Sequence, residues 1–308
     1  MCRNFRKLAF LWMFFLYGII VAASETGVKT DDKLNIVTTT TIFKDLVESI
    51  GGEKVKVTSL MGEGINVHSY TASAGDLNRL DNADIIIYGG LHLEGRMGAI
   101  FDDLENSGKN VLSLGDNLDK SLLLYRKENH PDPHTWFDTQ LWILQSKLVA
   151  DKLSEIDEKN KDYYMNRYES YKEEIEELRA YVKSRIEEIP EESRVLITAH
   201  GAYSYFGRQF KFEIRSVRGI NANSESGTKD IIDLADFIIE RNIKAIFVET
   251  SVSHRVVEAL QEAVSSKGVK VKIGGELYSE SLGDKERDTE TYIKTFKRNI
   301  DIIAEALK

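Results

Sequence analysis

The stretch YMNRYESYKEEIEELRAYVKSRIEEI, residues 164–189, decides the architecture. Tyr164, Tyr168, Tyr171, Ile175, Leu178, Val182, Ile186 and Ile189 recur every three or four residues, the period of one helix face. Glu, Lys and Arg fill many of the other positions, and Pro190 ends the run. A helix of this length spans roughly 39 Å at about 1.5 Å per residue, enough to run along two small domains. The stripe also approximates a heptad, so a coiled-coil dimer is the competing reading. Aromatic residues at the first positions favour packing against the chain's own lobes.

On either side of this helix the chain reads as an α/β half. Before it, LNIVTTT (34–40), VKVTSL (55–60), DIIIYGG (84–90) and VLSL (111–114) are strand candidates. After it come RVLITAH (194–200), AIFVET (245–250) and VKVKIGG (269–275). A helical pattern through Phe43, Leu46, Val47 and Ile50 stops at Gly51-Gly52, and others cover 229–240, 254–266 and 290–307. Strands alternating with helices predict parallel sheets with flanking helices. The expected division is a signal peptide over 1–23, an N-terminal lobe over 24–163, a connecting helix over 164–190 and a C-terminal lobe over 191–308.

The leader follows from charge and hydropathy. Arg3, Arg6 and Lys7 precede LAFLWMFFLYGIIVAA (8–23), which ends in small residues. An uncleaved membrane anchor is the alternative. The chain's one cysteine, Cys2, precedes the apolar run, where a lipoprotein cysteine would follow it. The expectation is therefore a periplasmic protein with a cleaved signal and no lipid anchor. With no disulfide to staple it, the exported chain relies on its core. Its 41 Lys and Arg against 50 Asp and Glu give a net charge of −9, a poor surface for nucleic acid.

Of six histidines, three fall in loops beyond predicted strands. His68 lies after VTSL, His134 in DPHTW ahead of a helix that Asp138 can cap, and His200 closes RVLITAH. Glu280, in ELYSESLG, supplies a carboxylate at a fourth such place. Imidazoles and a carboxylate suit a divalent transition ion, and the loops past the strand ends form the ligand crevice of an α/β sheet. His92, His130 and His254 have weaker positional cases, and Asp284 and Asp288 are possible substitutes for Glu280. HEXXH, GXSXG, Walker and dinucleotide motifs are absent. Tyr203, Tyr205 and Phe206 read as packing around the His200 loop rather than as chemistry.

The segments IVTTTTIFKDLVESIGG, HSYTASAGDLNRLDNADIIIYGGLHLEGRM, DPHTWFD, ITAHGAYSYF, AIFVETSVS and GGELYSESLG resemble those of a known group. These are the solute-binding proteins of zinc and manganese ABC transporters, cluster A-I or cluster 9, and within it the treponemal Tro-type branch. The resemblance runs over residues 34–308. It implies two α/β lobes joined by one long rigid helix, one ion per chain in the interlobe cleft, and delivery to a membrane permease driven by a cytoplasmic ATPase. The working unit is expected to be a monomer. Carried over position by position, the ligands are His68, His134, His200 and, where the family normally has aspartate, Glu280. Asn66-Val67 stands where the family has Asp-Pro. The donor set favours zinc, then manganese, then iron, although the segment before His134 lacks the His-rich loop of many zinc carriers. No catalytic residue is expected. The competing functions are a zinc-dependent hydrolase, with Glu249 as the available carboxylate, and a surface adhesin without a transport role.

Overall fold

The computed structural model describes residues 33–125, 130–219 and 227–308. The expected signal peptide lies outside them. In the N-terminal lobe four strands form one sheet: β1 (Leu34–Thr38), β2 (Val55–Ser59), β3 (Ile85–Tyr88) and β4 (Val111–Ser113). All pair in parallel, in the order β2-β1-β3-β4. Ile85, Ile86 and Ile87 are all buried, as a strand covered on both faces requires. The covering helices are α1 (Thr41–Gly51), α2 (Ala74–Asp81) and α3 (Gly98–Asn106). Ile42, Phe43, Leu46, Val47 and Ile50 form the buried face of α1. Its chain turns away at Gly52, whose φ of 52° suits glycine.

Two helices follow, α4 (Thr139–Ile156) and α5 (Lys161–Glu187). Asp138 caps α4 as expected, its carboxylate accepting from the Gln140 and Leu141 N–H groups. With 27 residues, α5 is about 40 Å long and contains neither Gly nor Pro. Tyr164, Tyr168, Tyr171, Ile175, Leu178, Val182 and Ile186 are buried, and α5 packs on α4, α1 and, further along, α9 (Tyr292–Leu307). The apolar stripe is thus covered by the chain's own lobes, which removes the seam a coiled-coil partner would need.

The C-terminal lobe runs β5 (Val195–Thr198), α6 (Ser204–Phe210), β6 (Glu213–Ser216), α7 (Thr228–Glu240), β7 (Ala245–Glu249), α8 (Arg255–Ser266), β8 (Lys272–Leu277) and then α9. β5 pairs in parallel with β6 and β7 with β8, and β5 lies beside β7. The spatial order β6-β5-β7-β8 therefore repeats that of the first sheet. Gly274 is the extra residue of a bulge between Ile246 and Phe247 of the partner strand. A Cβ there would lie 2.7 Å from Ala306 Cβ and 2.8 Å from Phe247 Cε1, so only glycine lets β8 pass under α9.

One apolar cluster joins both lobes, running from Ile36 and Phe43 through Trp142 and Tyr171 to Phe247, Phe296 and Ile300. A second fills the far face of the C-terminal sheet, with Ile197, Ile246 and Val248 against Leu234, Ile238 and Leu260. The shared cluster fixes one lobe against the other. Trp142 shows how: its ring stacks on Tyr292 at 4.5 Å and its Nε1–H donates to the Tyr171 hydroxyl at 3.0 Å.

Candidate metal centre

Each expected ligand sits beyond the carboxyl end of a strand or in the loop that follows. His68 lies in a 3-10 turn after β2, His134 just before the turn leading into α4, His200 after β5 and Glu280 after β8. The structure brings all four together. One ligand atom from each lies within 4.8 Å of the others, and all four side chains are buried. Glu280 Oε1 is 2.8 Å from His68 Nε2 and 3.1 Å from His200 Nε2. His68 and His134 face each other through their Nε2 atoms at 3.3 Å.

The Nδ1 atoms turn outward, each to an acceptor. His68 Nδ1 donates to the Leu93 carbonyl at 3.1 Å. His134 Nδ1 meets Asp132 Oδ1 at 2.7 Å, and the same oxygen accepts the His134 backbone N–H at 3.1 Å. His200 Nδ1 lies 2.7 Å from Glu249 Oε2, an ion-pair contact without in-line hydrogen-bond geometry. In a neutral ring, an acceptor at Nδ1 selects the tautomer with an unprotonated Nε2, the atom a cation needs.

Toward the centre the polar atoms lack what a cation would supply. Glu280 Oε1 and His200 Nε2 are buried without an aligned hydrogen bond, and the Nε2 atoms of His68 and His134 face each other at 3.3 Å. A tetrahedron drawn around zinc with ligand bonds of about 2.0–2.1 Å has edges of about 3.3 Å. Three of the six pairs, at 2.8, 3.1 and 3.3 Å, lie near that length, and the remaining pairs lie within 4.8 Å. The donor set and its spacing fit a single divalent ion.

Electrostatics agree in sign. Burial opposes charge on Glu280, but His200 and His68 outweigh it and hold the carboxyl well below its usual range. Burial likewise opposes charge on His200, yet Glu249 and Glu280 push its pKa up to about 10. For His134 burial wins over the attraction of Asp132, and the pKa falls.

A shell of packing fixes the loops. The Tyr205 hydroxyl donates to the Asp132 carbonyl at 2.9 Å, and the Tyr203 hydroxyl to the Tyr278 carbonyl at 3.1 Å. Trp136 Nε1 donates to the Ser279 carbonyl at 3.1 Å, while its ring stands edge-on to His134 at 5.2 Å. The Glu280 segment is tied across the cleft by Gly64 N–H to Ser281 Oγ, Leu282 N–H to Thr41 Oγ1, and Val67 N–H to Glu280 Oε2 at 3.4 Å.

The other candidates lie elsewhere. Asp284 is half-buried and Asp288 exposed, and they pair with Arg287 and Lys294. His254 is exposed and contacts Glu276 at 2.9 Å, and His130 and His92 are exposed with their rings 6.5 Å apart. Sequence reasoning missed Asp132 and Glu249 as holders of His134 and His200. The signal for Glu249 was a charge ending the apolar strand AIFVE; for Asp132 it was a carboxylate two residues before a histidine.

Residues 36–306 match the family model described as zinc-uptake complex component A, periplasmic (ZnuA). The chain belongs to this family. It is 39% identical to the zinc-binding protein TroA of Treponema pallidum over 292 residues, covering 95% of this chain and 94% of TroA. The manganese-binding lipoprotein MntA of Bacillus subtilis is 38% identical over 285 residues, 92% of this chain and 93% of MntA. A solved structure of the periplasmic zinc-binding protein TroA superposes with a TM-score of 0.87 at 40% identity, covering 89% of this chain and 99% of that one. This ZnuA-type chain is an extracytoplasmic metal-binding protein of the ABC-transporter solute-binding group, whose members are non-catalytic transport proteins. Membership implies a cognate membrane permease with its ATPase. The matches give no support to an adhesive role.

One expectation is overturned. The chain was expected to be periplasmic, released by a cleaved signal without a lipid anchor, yet MntA and the streptococcal relatives are lipoproteins by name. A basic start followed by an apolar run is common to leaders of both kinds. The charge and hydropathy of residues 3–23 therefore do not separate them, and Cys2 was a poor guide.

Proposed function

We propose that this ZnuA-type protein captures one divalent ion between two lobes through His68, His134, His200 and Glu280, with zinc preferred over manganese, and passes it to its permease as a monomer. The lobes are residues 24–163 and 191–308, joined by 164–190. The observation that carries this reading is the convergence of three Nε2 atoms and one carboxylate oxygen within 4.8 Å, with the outward Nδ1 atoms held by acceptors. Three imidazoles and one carboxylate in a tetrahedral arrangement suit zinc, and imidazole sites bind zinc more tightly than manganese in the general affinity order. Four protein donors leave tetrahedral zinc no open position for a substrate, which argues for carriage and against hydrolysis.

Titration calorimetry with zinc and manganese, on the chain and on single alanine variants of the four residues, tests the assignment. One site per chain, zinc ahead of manganese, and a loss of at least about tenfold in each variant are expected. Full affinity in any one variant removes that residue from the set. Tighter manganese binding reverses the preference.

A further inference from the structure

Two of the three histidines are held by carboxylates, Asp132 and Glu249, but His68 is held by a backbone carbonyl, Leu93 O. A carbonyl points where its chain directs it, so the orientation of His68 depends on segment 89–95. That segment is left-handed at Gly90 (φ 76°), Leu91 (52°), His92 (63°) and Gly95 (36°). Leu91 and His92 carry Cβ atoms, for which this region is unfavourable, so the surrounding structure must hold the turn.

Glu94 is placed to do so. Its side chain is 2% exposed and turns back toward the ends of β1 and β3. Oε1 accepts from the Thr39 hydroxyl and from Gly89 N–H, each at 2.7 Å. Oε2 accepts from Gly90 N–H at 3.2 Å. Asp116 adds a second tie, both its oxygens lying 3.3 Å from Leu91 N. The far end of the turn packs on His68 itself, since a Cβ on Gly95 would lie 2.5 Å from the His68 carbonyl oxygen.

We propose that Glu94 is a positioning residue for metal capture: it clamps the 89–95 turn so that the Leu93 carbonyl takes the His68 Nδ1–H and leaves Nε2 aimed at the ion. Without that clamp the turn relaxes toward ordinary backbone angles, the carbonyl swings away and His68 loses its fixed tautomer. The inference rests on His68 being a ligand.

The test uses the full chain and two readouts, nitrogen-15 histidine spectra of the metal-free protein and zinc affinity against a competing chelator. Glu94→Gln keeps the shape but replaces one acceptor oxygen by an amide donor, which conflicts with the N–H groups it faces. The wild type should show His68 as the Nδ1–H form. The variant should show a tautomer mixture at His68 alone and bind zinc about tenfold more weakly. In a His68→Ala background the same change should alter affinity by about twofold or less, because the path runs through His68. Unchanged affinity in Glu94→Gln, or an equal loss with and without His68, overturns the proposal. Wild-type affinity in His68→Ala overturns the ligand assignment instead. If Glu94→Gln does not fold, Thr39→Val decides by the same pair of backgrounds, with Thr39→Ser expected to restore binding.

Discussion

Glu249 grips His200 twice: Oε1 accepts its backbone N–H at 2.9 Å, and Oε2 lies 2.7 Å from its Nδ1. The two contacts fix both where the residue sits and which way its ring faces. Replacing Glu249→Gln should therefore weaken zinc binding by about tenfold, although Glu249 itself is outside the ligand set. Chelator competition measures this, and an unchanged affinity would show that the ring is held by packing alone.

The proposed fourth ligand makes a sharper prediction. Glu280→Ala should cost about a hundredfold or more in zinc affinity, with the far-ultraviolet spectrum of the metal-free protein unchanged. Asp284→Ala and Asp288→Ala should have little effect, because these carboxylates pair with Arg287 and Lys294 instead. Glu280→Asp should give an intermediate loss, since one methylene fewer draws the second oxygen away from Val67 N–H. Equal losses at positions 280 and 284 would mean that the wrong carboxylate has been assigned.

The sign of the pH response follows from the two perturbed histidines. With its pKa raised to about 10, His200 carries a proton near neutral pH, while burial lowers the pKa of His134. Zinc has to displace that proton, so apparent affinity should rise about tenfold per pH unit until about pH 10. Metal-free stability moves the other way. A histidine raised from about 6.5 in the unfolded chain stabilises the fold fully below that pH. The contribution is lost as pH climbs through about 10. Calorimetry in buffers of differing ionisation enthalpy counts the protons, and zinc binding at neutral pH without proton release would contradict the scheme.

Metal should change the molecule locally and leave its outline alone. No Gly or Pro interrupts α5, and one apolar cluster bridges both lobes, so a hinge has nowhere to form. Small-angle scattering should give the same radius of gyration with and without zinc. Trp136 fluorescence should nevertheless respond, because its ring stands against His134. A contraction like that of binding proteins hinged on flexible strands would refute the rigid helix.

Trp142 tests the cluster itself. It is fully buried between Tyr171 and Tyr292, and Trp142→Ala should destabilise the metal-free protein by about 3–5 kcal/mol in denaturant titrations. A loss under about 1 kcal/mol would mean that the lobes are held elsewhere.

Much of this was legible beforehand, for physical reasons. The stripe from Tyr164 to Ile186 repeats at the helical period, and α5 formed where that period runs. The triplet Ile85-Ile86-Ile87 could satisfy its burial only inside a covered sheet. β6 escaped notice because it is a short strand, EIRS, at the margin of its sheet, with Arg215 exposed and Glu213 half-buried. No periodicity marks so brief and polar an element. The Leu93 carbonyl was invisible in principle, since every residue has one and only the folded turn aims it. Glu280 was placed in a loop rich in charge, but that loop is divided: residues 278–282 are buried while most of 284–288 face solvent. Alternation of exposure within a loop leaves no pattern in the sequence.

On the proposed assignment each half of the chain supplies two of the four donors, His68 and His134 from one and His200 and Glu280 from the other. Neither half can make more than a two-donor site. An incomplete chain, whether stalled in synthesis or cut by a protease, would hold the ion too weakly to withdraw it from circulation. Tight capture on this reading belongs to the two halves together, and neither sheet with its own loops carries it alone.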